Sequence, residues 1–105
     1  MKFTTKGIYM TCGVQASIDC EELTHENIGE CLHRHFMNQG DECAEDRKLN
    51  EEAIKRREGR VLSVFKDVGE SDSTIYIITE GFHLANDPQY GKQYPMTTVL
   101  FSDEY

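Results

Sequence analysis

The segment "ECLHRHFMNQGDECAED", residues 30–46, concentrates side chains that bind metal ions. Zinc is held in proteins mainly by cysteine sulfur, histidine nitrogen and carboxylate oxygen. If the first part of the segment is helical, Cys31 and His35 project from one face and can share one ion. Cys43 or Asp41 could complete the ligand set if the chain turns back tightly. The segment is therefore a candidate zinc site.

The same two side chains also fit a packing role. Ile28, Leu32 and Phe36 recur at helical spacing, and Cys31 and His35 lie within the apolar stripe that they form. Such a helix is stable when its stripe is buried. We therefore expect Cys31 and His35 to face the sheet, with no metal and no cofactor bound.

A buried neutral histidine needs hydrogen-bond partners, because an unsatisfied polar group in the interior costs roughly 1–3 kcal/mol. Asp46 and Asn50, on the next predicted helix, are the candidate partners of His35. His33 projects about 200° away from His35 around the helix. Glu30 also lies outside the stripe, so His33 and Glu30 should point to water.

Histidines elsewhere suggest an alternative chemistry. His25, His33 and His83 could serve as general acid and base in a small nuclease that depends on histidine or on a metal. The chain has no G-x-S-x-G turn and no glycine-rich phosphate loop. Its acidic charge also opposes an RNA substrate, so a non-enzymatic role is the first hypothesis.

Four segments rich in β-branched and aromatic residues are predicted strands. They are Phe3–Thr11, Arg60–Phe65, Ser73–Glu80 and Met96–Phe101. Gly13 should begin a loop after the first strand. The last three strands follow one another closely, which predicts an antiparallel meander.

Two helices are predicted between the first and second strands. Thr24 is a suitable N-cap for the first helix, and Gly40 follows its end. Asp41 should cap the second helix, with Gly59 just beyond its C-terminus. The predicted fold is α+β with the order β-α-α-β-β-β, an antiparallel sheet and both helices on one face.

A long loop, residues 81–95, joins the last two predicted strands. It carries four aromatic side chains: Phe82, His83, Tyr90 and Tyr94. These could contact another protein or fold back over the open face of the sheet, and the sequence does not choose between the two.

The chain has 105 residues, which predicts a single domain, residues 1–105. No apolar run resembles a signal peptide or a membrane span, so we expect a cytoplasmic protein. Four cysteines are present without a C-x-x-C pair: Cys12, Cys20, Cys31 and Cys43. They should be reduced and packed as small apolar side chains.

The net charge of −8 is confined to one segment. Residues 19–52 hold eleven acidic and three basic side chains, and the acids and bases of the remaining chain balance. We expect a solvent-facing acidic surface on the two helices, formed by Glu26, Glu30, Asp41, Glu42, Glu45 and Glu52. Such a surface repels nucleic acid and membrane phosphates, and it is either an ordinary solvated face or a docking surface for a basic, nucleic-acid-binding partner.

Several short pieces occur along the chain in a fixed order: Arg34-His35, Gly40-Asp41, Glu45-Asp46, Asn50, Ala53, "RVLS", "IYIITE", "TTVLF" and Glu104-Tyr105. Together they resemble a family of small proteins carried on bacterial plasmids, conjugative elements and phages, often named only "plasmid-related protein". The chain departs from the family in "GDEC", where an aromatic residue would follow Gly-Asp, and in the insertion after Glu80.

The resemblance implies a mobile-element context, in which small acidic proteins often oppose host defence. It suggests an anti-CRISPR-like or anti-restriction-like inhibitor that binds where nucleic acid would bind a host complex. An accessory or regulatory protein of the element's own DNA-processing machinery is the alternative within binding proteins. Neither hypothesis names the target or the oligomeric state.

Overall fold

The structure is a computed structural model that describes residues 1–70 and 72–105. The described residues form β1 (Gly7–Met10), α1 (Cys12–Asp19), α2 (His25–Phe36), α3 (Ala44–Arg56), β2 (Arg60–Val68), β3 (Ser73–Glu80) and β4 (Met96–Phe101). Single 3-10 turns follow β3 (Phe82–Leu84) and β4 (Ser102–Glu104). Within these ranges no helix has the length and apolar character needed to cross a lipid bilayer.

The four strands form one mixed sheet in the order β1-β4-β3-β2. The last three strands make the predicted antiparallel meander, with Val61 opposite Thr79 and Ile77 opposite Val99. Strand β1 runs parallel to β4. The α+β class is confirmed, but the prediction of a wholly antiparallel sheet is wrong. The long helical crossover after β1 allows the chain to return in the same direction, which a short hairpin cannot do.

The predicted strands differ from the observed ones mainly in β1. Strands β3 and β4 have the predicted bounds, and β2 continues three residues beyond Phe65. Strand β1 occupies only Gly7–Met10 of the predicted Phe3–Thr11. Phe3 leaves the sheet because its ring packs edge-on against Phe36, with centroids 5.3 Å apart.

Helix α1 occupies the stretch that was predicted to be a loop. Thr11 caps it, since its hydroxyl accepts a hydrogen bond from the N–H of Val14 at 3.3 Å. Val14 is fully buried, and Ile18 packs beside it in the core. Eight residues with two core contacts carry too weak a periodicity for recognition, and Gly13 in the first turn obscured it further.

Thr24 is the N-cap of α2, as predicted. Its hydroxyl accepts from the N–H of Asn27, and the Asn27 side chain accepts from the N–H of Thr24, both at 3.0 Å. This reciprocal pair is a capping box, with asparagine where glutamate or glutamine is more usual.

Both predicted ends of α3 are wrong. The N-cap is Cys43, not Asp41, because the Asp41 carboxylate accepts instead from the N–H of Lys66 at 3.0 Å. The helix ends at Arg56, and its C-cap is Arg57, which adopts the left-handed conformation at φ +53°, two residues before Gly59.

One face of the sheet carries the core. The main cluster joins α1, α2 and the strands: Val14, Leu23, Ile28, Cys31, Phe65, Val68, Ile75, Ile77 and Val99. A second cluster contains Phe3, Phe36, Val61 and Phe82, with Ala53 and Ile54 of α3 packed against it. On the opposite face, the Tyr105 ring packs against Tyr76, with centroids 5.8 Å apart, and beneath the guanidinium of Arg60.

Candidate functional site

Cys31 and His35 face the sheet, as predicted. Cys31 is 5% exposed and His35 is completely buried. Burial raises the pKa of the Cys31 thiol to about 11 and lowers the pKa of His35 to about 3. At neutral pH the pair is therefore a thiol and a neutral imidazole, which is a packing role.

The hydrogen-bond partners of His35 are Ser63 and Thr79. Nδ1 lies 2.7 Å from the Ser63 hydroxyl, and Nε2 lies 2.8 Å from the Thr79 hydroxyl. The prediction of Asp46 and Asn50 as partners is wrong. Helix α2 lies across the strands, so His35 reaches β2 and β3 directly.

The hydrogen bonds continue from Thr79 across the sheet. Thr79 and Thr97 hydroxyls are 2.7 Å apart, and Thr97 donates to the Thr5 hydroxyl at 2.8 Å. Thr5 in turn donates to the backbone carbonyls of Gly7 and Pro95. This buried relay of hydroxyls and one imidazole links three strands through side chains.

The other histidines lie on the surface. His25, His33 and His83 are exposed, and Glu30 is exposed beside His33 as predicted. Three of the four cysteines are also exposed, contrary to the expectation that they would be buried: Cys12, Cys20 and Cys43. Within residues 1–70 and 72–105, no three His, Cys, Asp or Glu side chains are grouped to hold a metal ion.

Asn50 occupies the outer edge of β2. Its side-chain amide donates to the carbonyl of Leu62 at 2.8 Å and accepts from the Leu62 N–H at 3.1 Å. A single side chain thus satisfies the two backbone groups that a neighbouring strand would pair.

The chain before α3 satisfies the next backbone groups along β2. The carboxylate of Glu42 accepts from the N–H of Val64 at 3.1 Å, and the N–H of Asp41 donates to the Val64 carbonyl at 2.7 Å. Asp41 also accepts from the N–H of Lys66. Residues 41–50 therefore seal this edge of the sheet.

These contacts correct the predicted acidic surface. The side chain of Glu42 is only 1% exposed, so its predicted position on a solvent-facing surface is wrong. Asp41 is bound by the Lys66 N–H and, at 2.9 Å, by Arg34. Both interactions hold the pKa of Asp41 below its usual value, the backbone hydrogen bond most strongly. Glu42 and Asp41 are structural groups.

Asp41 is nevertheless exposed, as predicted, and so are the remaining four predicted acids: Glu26 and Glu30 on α2, and Glu45 and Glu52 on α3. The fold adds acids that sequence reasoning missed. The N–H of Glu70, in the β2–β3 turn, donates to the carbonyl of Glu22 at 2.9 Å. Two acidic segments therefore meet at one end of the molecule.

We define the acidic end as the exposed carboxylates of these two segments: Asp19, Glu21, Glu22, Glu26, Asp67, Glu70 and Asp72. The described part of the chain contains three ion pairs, all of them elsewhere: Lys2–Glu51, Arg34–Asp41 and Arg47–Glu42. The carboxylates of the acidic end therefore have no cationic partner among the described residues. The charge count along the sequence missed the second of these segments, Asp67, Glu70 and Asp72, because acids and bases balance outside residues 19–52.

A groove of about 880 Å³ lies between the end of α2 and α3, and four cations line it: Lys2, Arg34, Arg47 and Lys66. Two of them are committed to backbone carbonyls. Arg34 donates to Gln39 at 3.1 Å, and Arg47 donates to Gly40 at 2.9 Å. These contacts give both arginines a structural role in fixing the connection between the two helices.

The 81–95 loop enters the core at its start and is more exposed further along. Phe82 folds back into the second core cluster, 5.9 Å from the Phe3 ring. Tyr90 is 42% exposed, and its ring contacts Tyr94 with centroids 6.4 Å apart. The loop is therefore anchored at its start and presents aromatic surface further along.

No protein-family model, curated protein or solved structure matches this chain. The likeness to plasmid-borne proteins therefore rests on the short pieces quoted above.

Proposed function

We propose that this protein is a non-enzymatic, mobile-element-encoded inhibitor that binds the basic, nucleic-acid-binding surface of a host defence complex. The contact between Glu22 and Glu70 carries the proposal, because it gathers seven exposed carboxylates at one end of the fold. The resemblance to plasmid-borne proteins supplies the biological context.

The proposed binding depends on the charge of the surface that normally holds nucleic acid. Surfaces that hold nucleic acid are lined with lysine and arginine, which neutralise phosphates. Carboxylates held close together on a rigid fold offer those cations an alternative anion. Association should then be steered by long-range attraction and weakened by salt.

The site differs from the one predicted from sequence. Glu42 leaves the binding surface because it is buried against the β2 edge, and the exposed Asp41 carboxylate is already bound by Arg34 and the Lys66 N–H. Glu26 is the member of the original set that belongs to the acidic end. Glu45 and Glu52 lie on α3 and supply a matched comparison.

The test is a pair of triple charge reversals with identical net charge. The first replaces Glu21, Glu22 and Glu70 with lysine, and the second replaces Glu45, Asp46 and Glu52. Affinity capture from a bacterial lysate names the partner, and biosensor titration then measures Kd for both variants. Circular dichroism confirms that each variant is folded.

We expect the first variant to lose about 100-fold in affinity and the second to lose at most a few-fold. The wild-type Kd should rise with salt. Equal losses in both variants, or unchanged binding by the first, would contradict the proposal. The same preparations incubated with plasmid or guide RNA, with and without a chelator, test the nuclease alternative.

An accessory protein of the element's own DNA-processing machinery would use the same surface on a different partner. The identity of the captured protein decides between these two functions. A relaxase or replication protein from the element would favour the accessory role, and a nuclease complex of the host would favour inhibition.

A further inference from the structure

Residues 7–18, "GIYMTCGVQASI", contain no charged side chain, although charged residues make up 29% of the chain. The stretch forms β1 and most of α1. Both elements therefore present an uncharged surface at one side of the molecule. This is the feature from which a second interaction surface is inferred.

The two edges of the sheet are treated differently. Residues 41–50 seal the β2 edge, whereas β1 pairs with β4 on one side and with no described strand on the other. Ile8 is 48% exposed and Tyr9 is 52% exposed. Natural sheets usually protect their edges with charge, proline or a covering segment. An uncharged edge with exposed apolar residues is an available template for another strand.

A groove of about 480 Å³ runs along this edge. Its walls are β1, from Ile8 to Met10, and the outer side of α1, including Cys12 and Ala16. Asp19 is the one charged residue in its lining, and Asp19 also belongs to the acidic end. The groove is therefore uncharged along β1 and negative where it meets the acidic end.

We propose that the open edge of β1 accepts an extended segment of the partner, which adds to the sheet as a fifth strand. The segment would carry alternating apolar side chains, for the groove and for Tyr9, and a lysine or arginine that reaches Asp19. The inference rests on the proposed function in expecting a basic partner, and it assigns that partner a specific mode of docking.

Charge complementarity favours this occupant over a second copy of the chain. Two copies would each bring a net charge of −8, and each would place Asp19 beside the shared edge. Like charges at this density oppose association. A basic partner segment would instead be attracted to Asp19.

The test is an NMR titration of the ¹⁵N-labelled full chain with two synthetic peptides. One is Lys-Lys-Val-Thr-Val-Thr-Val and the other begins with two glutamates. We expect the lysine peptide to shift the amide signals of Gly7–Met10 and to bind at least about ten-fold more tightly than the glutamate peptide. Asp19→Asn should narrow that difference.

Tyr9→Lys should weaken binding of the lysine peptide about ten-fold, because it places a cation on the edge. Leu49→Lys is the matched control, since Leu49 is 63% exposed on α3, on the side of the sealed edge. The proposal is overturned if the β1 signals do not move, or if both lysine variants behave alike. It is also overturned if sedimentation shows a dimer of the free chain that Tyr9→Lys dissociates.

The two proposals fail in different assays. Tyr9→Lys leaves the acidic end intact, and the Glu21, Glu22 and Glu70 reversal leaves β1 intact. If Tyr9→Lys weakens peptide binding as expected but the charge reversal leaves partner affinity unchanged, the proposed function alone is refuted. If the charge reversal lowers partner affinity but neither peptide shifts the β1 amide signals, strand addition alone is refuted.

Discussion

Nε2 of His35 lies 2.8 Å from the hydroxyl of Thr79, and this bond has a fixed direction. Thr5 gives its proton to backbone carbonyls, so its oxygen accepts from Thr97. Thr97 must then accept from Thr79, and Thr79 from His35. Nδ1 of His35 accepts from the Ser63 hydroxyl. Each threonine hydroxyl in the relay accepts one hydrogen bond and passes its own proton onward, and the Thr5 proton is shared between two carbonyls.

The relay therefore predicts the tautomer of His35. Its proton should reside on Nε2, and long-range ¹H–¹⁵N NMR of the imidazole measures this directly. Thr79→Val removes the acceptor of that proton and should cost roughly 1–3 kcal/mol of unfolding free energy. Thr98→Val, on the opposite face of the sheet, is the control and should cost little. A proton found on Nδ1 would show that the relay runs the other way.

The stability of the fold should depend on pH through His35. Burial lowers its pKa from 6.5 to about 3. Near pH 6.5 the His35 imidazole takes up a proton in the unfolded chain but stays neutral in the folded chain. The free energy of unfolding therefore has its full value above that pH and decreases as pH falls towards 3. The loss should be about 1.6 kcal/mol between pH 6.5 and pH 5.

Urea unfolding of the wild type and of His35→Gln measures this slope. The variant should show a flatter dependence, and His33→Gln should keep the wild-type slope because His33 is exposed. If His35→Gln does not fold, the imidazole proton signals of the wild type still decide the matter. A titration of His35 midway between pH 6 and 7 would refute the prediction.

Asn50 should be needed for both stability and solubility. Asn50→Ala leaves the N–H and carbonyl of Leu62 without their partner, which should cost roughly 2 kcal/mol. It also exposes a strand edge, so light scattering should detect association. Lys48→Ala, exposed on the same helix, should change stability by less than about 0.5 kcal/mol. Equal stability of the two variants would mean that the edge does not need its seal.

Alanine substitution at two glycines should change the stability of the fold in opposite directions. A Cβ at Gly40 would overlap the Glu42 oxygen that accepts from Val64, so Gly40→Ala should destabilise the fold. Gly29 lies within α2 with open space around it, and Gly29→Ala should stabilise by up to about 1 kcal/mol. Thermal unfolding of both variants gives the sign of each change. A stable Gly40→Ala protein would imply that Glu42 can move without cost.

The sequence predicted those elements whose signals are local. Thr24 capped its helix and the β3 and β4 bounds were right, because capping chemistry and short β-branched runs act within a few residues. The burial of His35 followed from the helical stripe alone. Its partners did not, because the angle at which α2 crosses the strands depends on packing of the whole core.

The acidic surface shows where reasoning along the chain stops. Asp41 and Glu42 are acidic residues of the kind found at helix N-termini. Their carboxylates instead accept hydrogen bonds from backbone N–H groups at the β2 edge. Glu70 lies in a segment whose charges balance, and only the fold places it against Glu22. Long-range hydrogen bonds of this kind leave no periodic trace in the sequence.

The bond between Glu70 and Glu22 makes the acidic end a conditional surface. Charges act together only within about a Debye length, roughly 8–10 Å at physiological salt, and the two segments are brought that close only by folding. An unfolded chain or a proteolytic fragment keeps its carboxylates but loses their density. A partner that recognises the high local density of carboxylates therefore binds the folded protein and not an unfolded or cleaved chain.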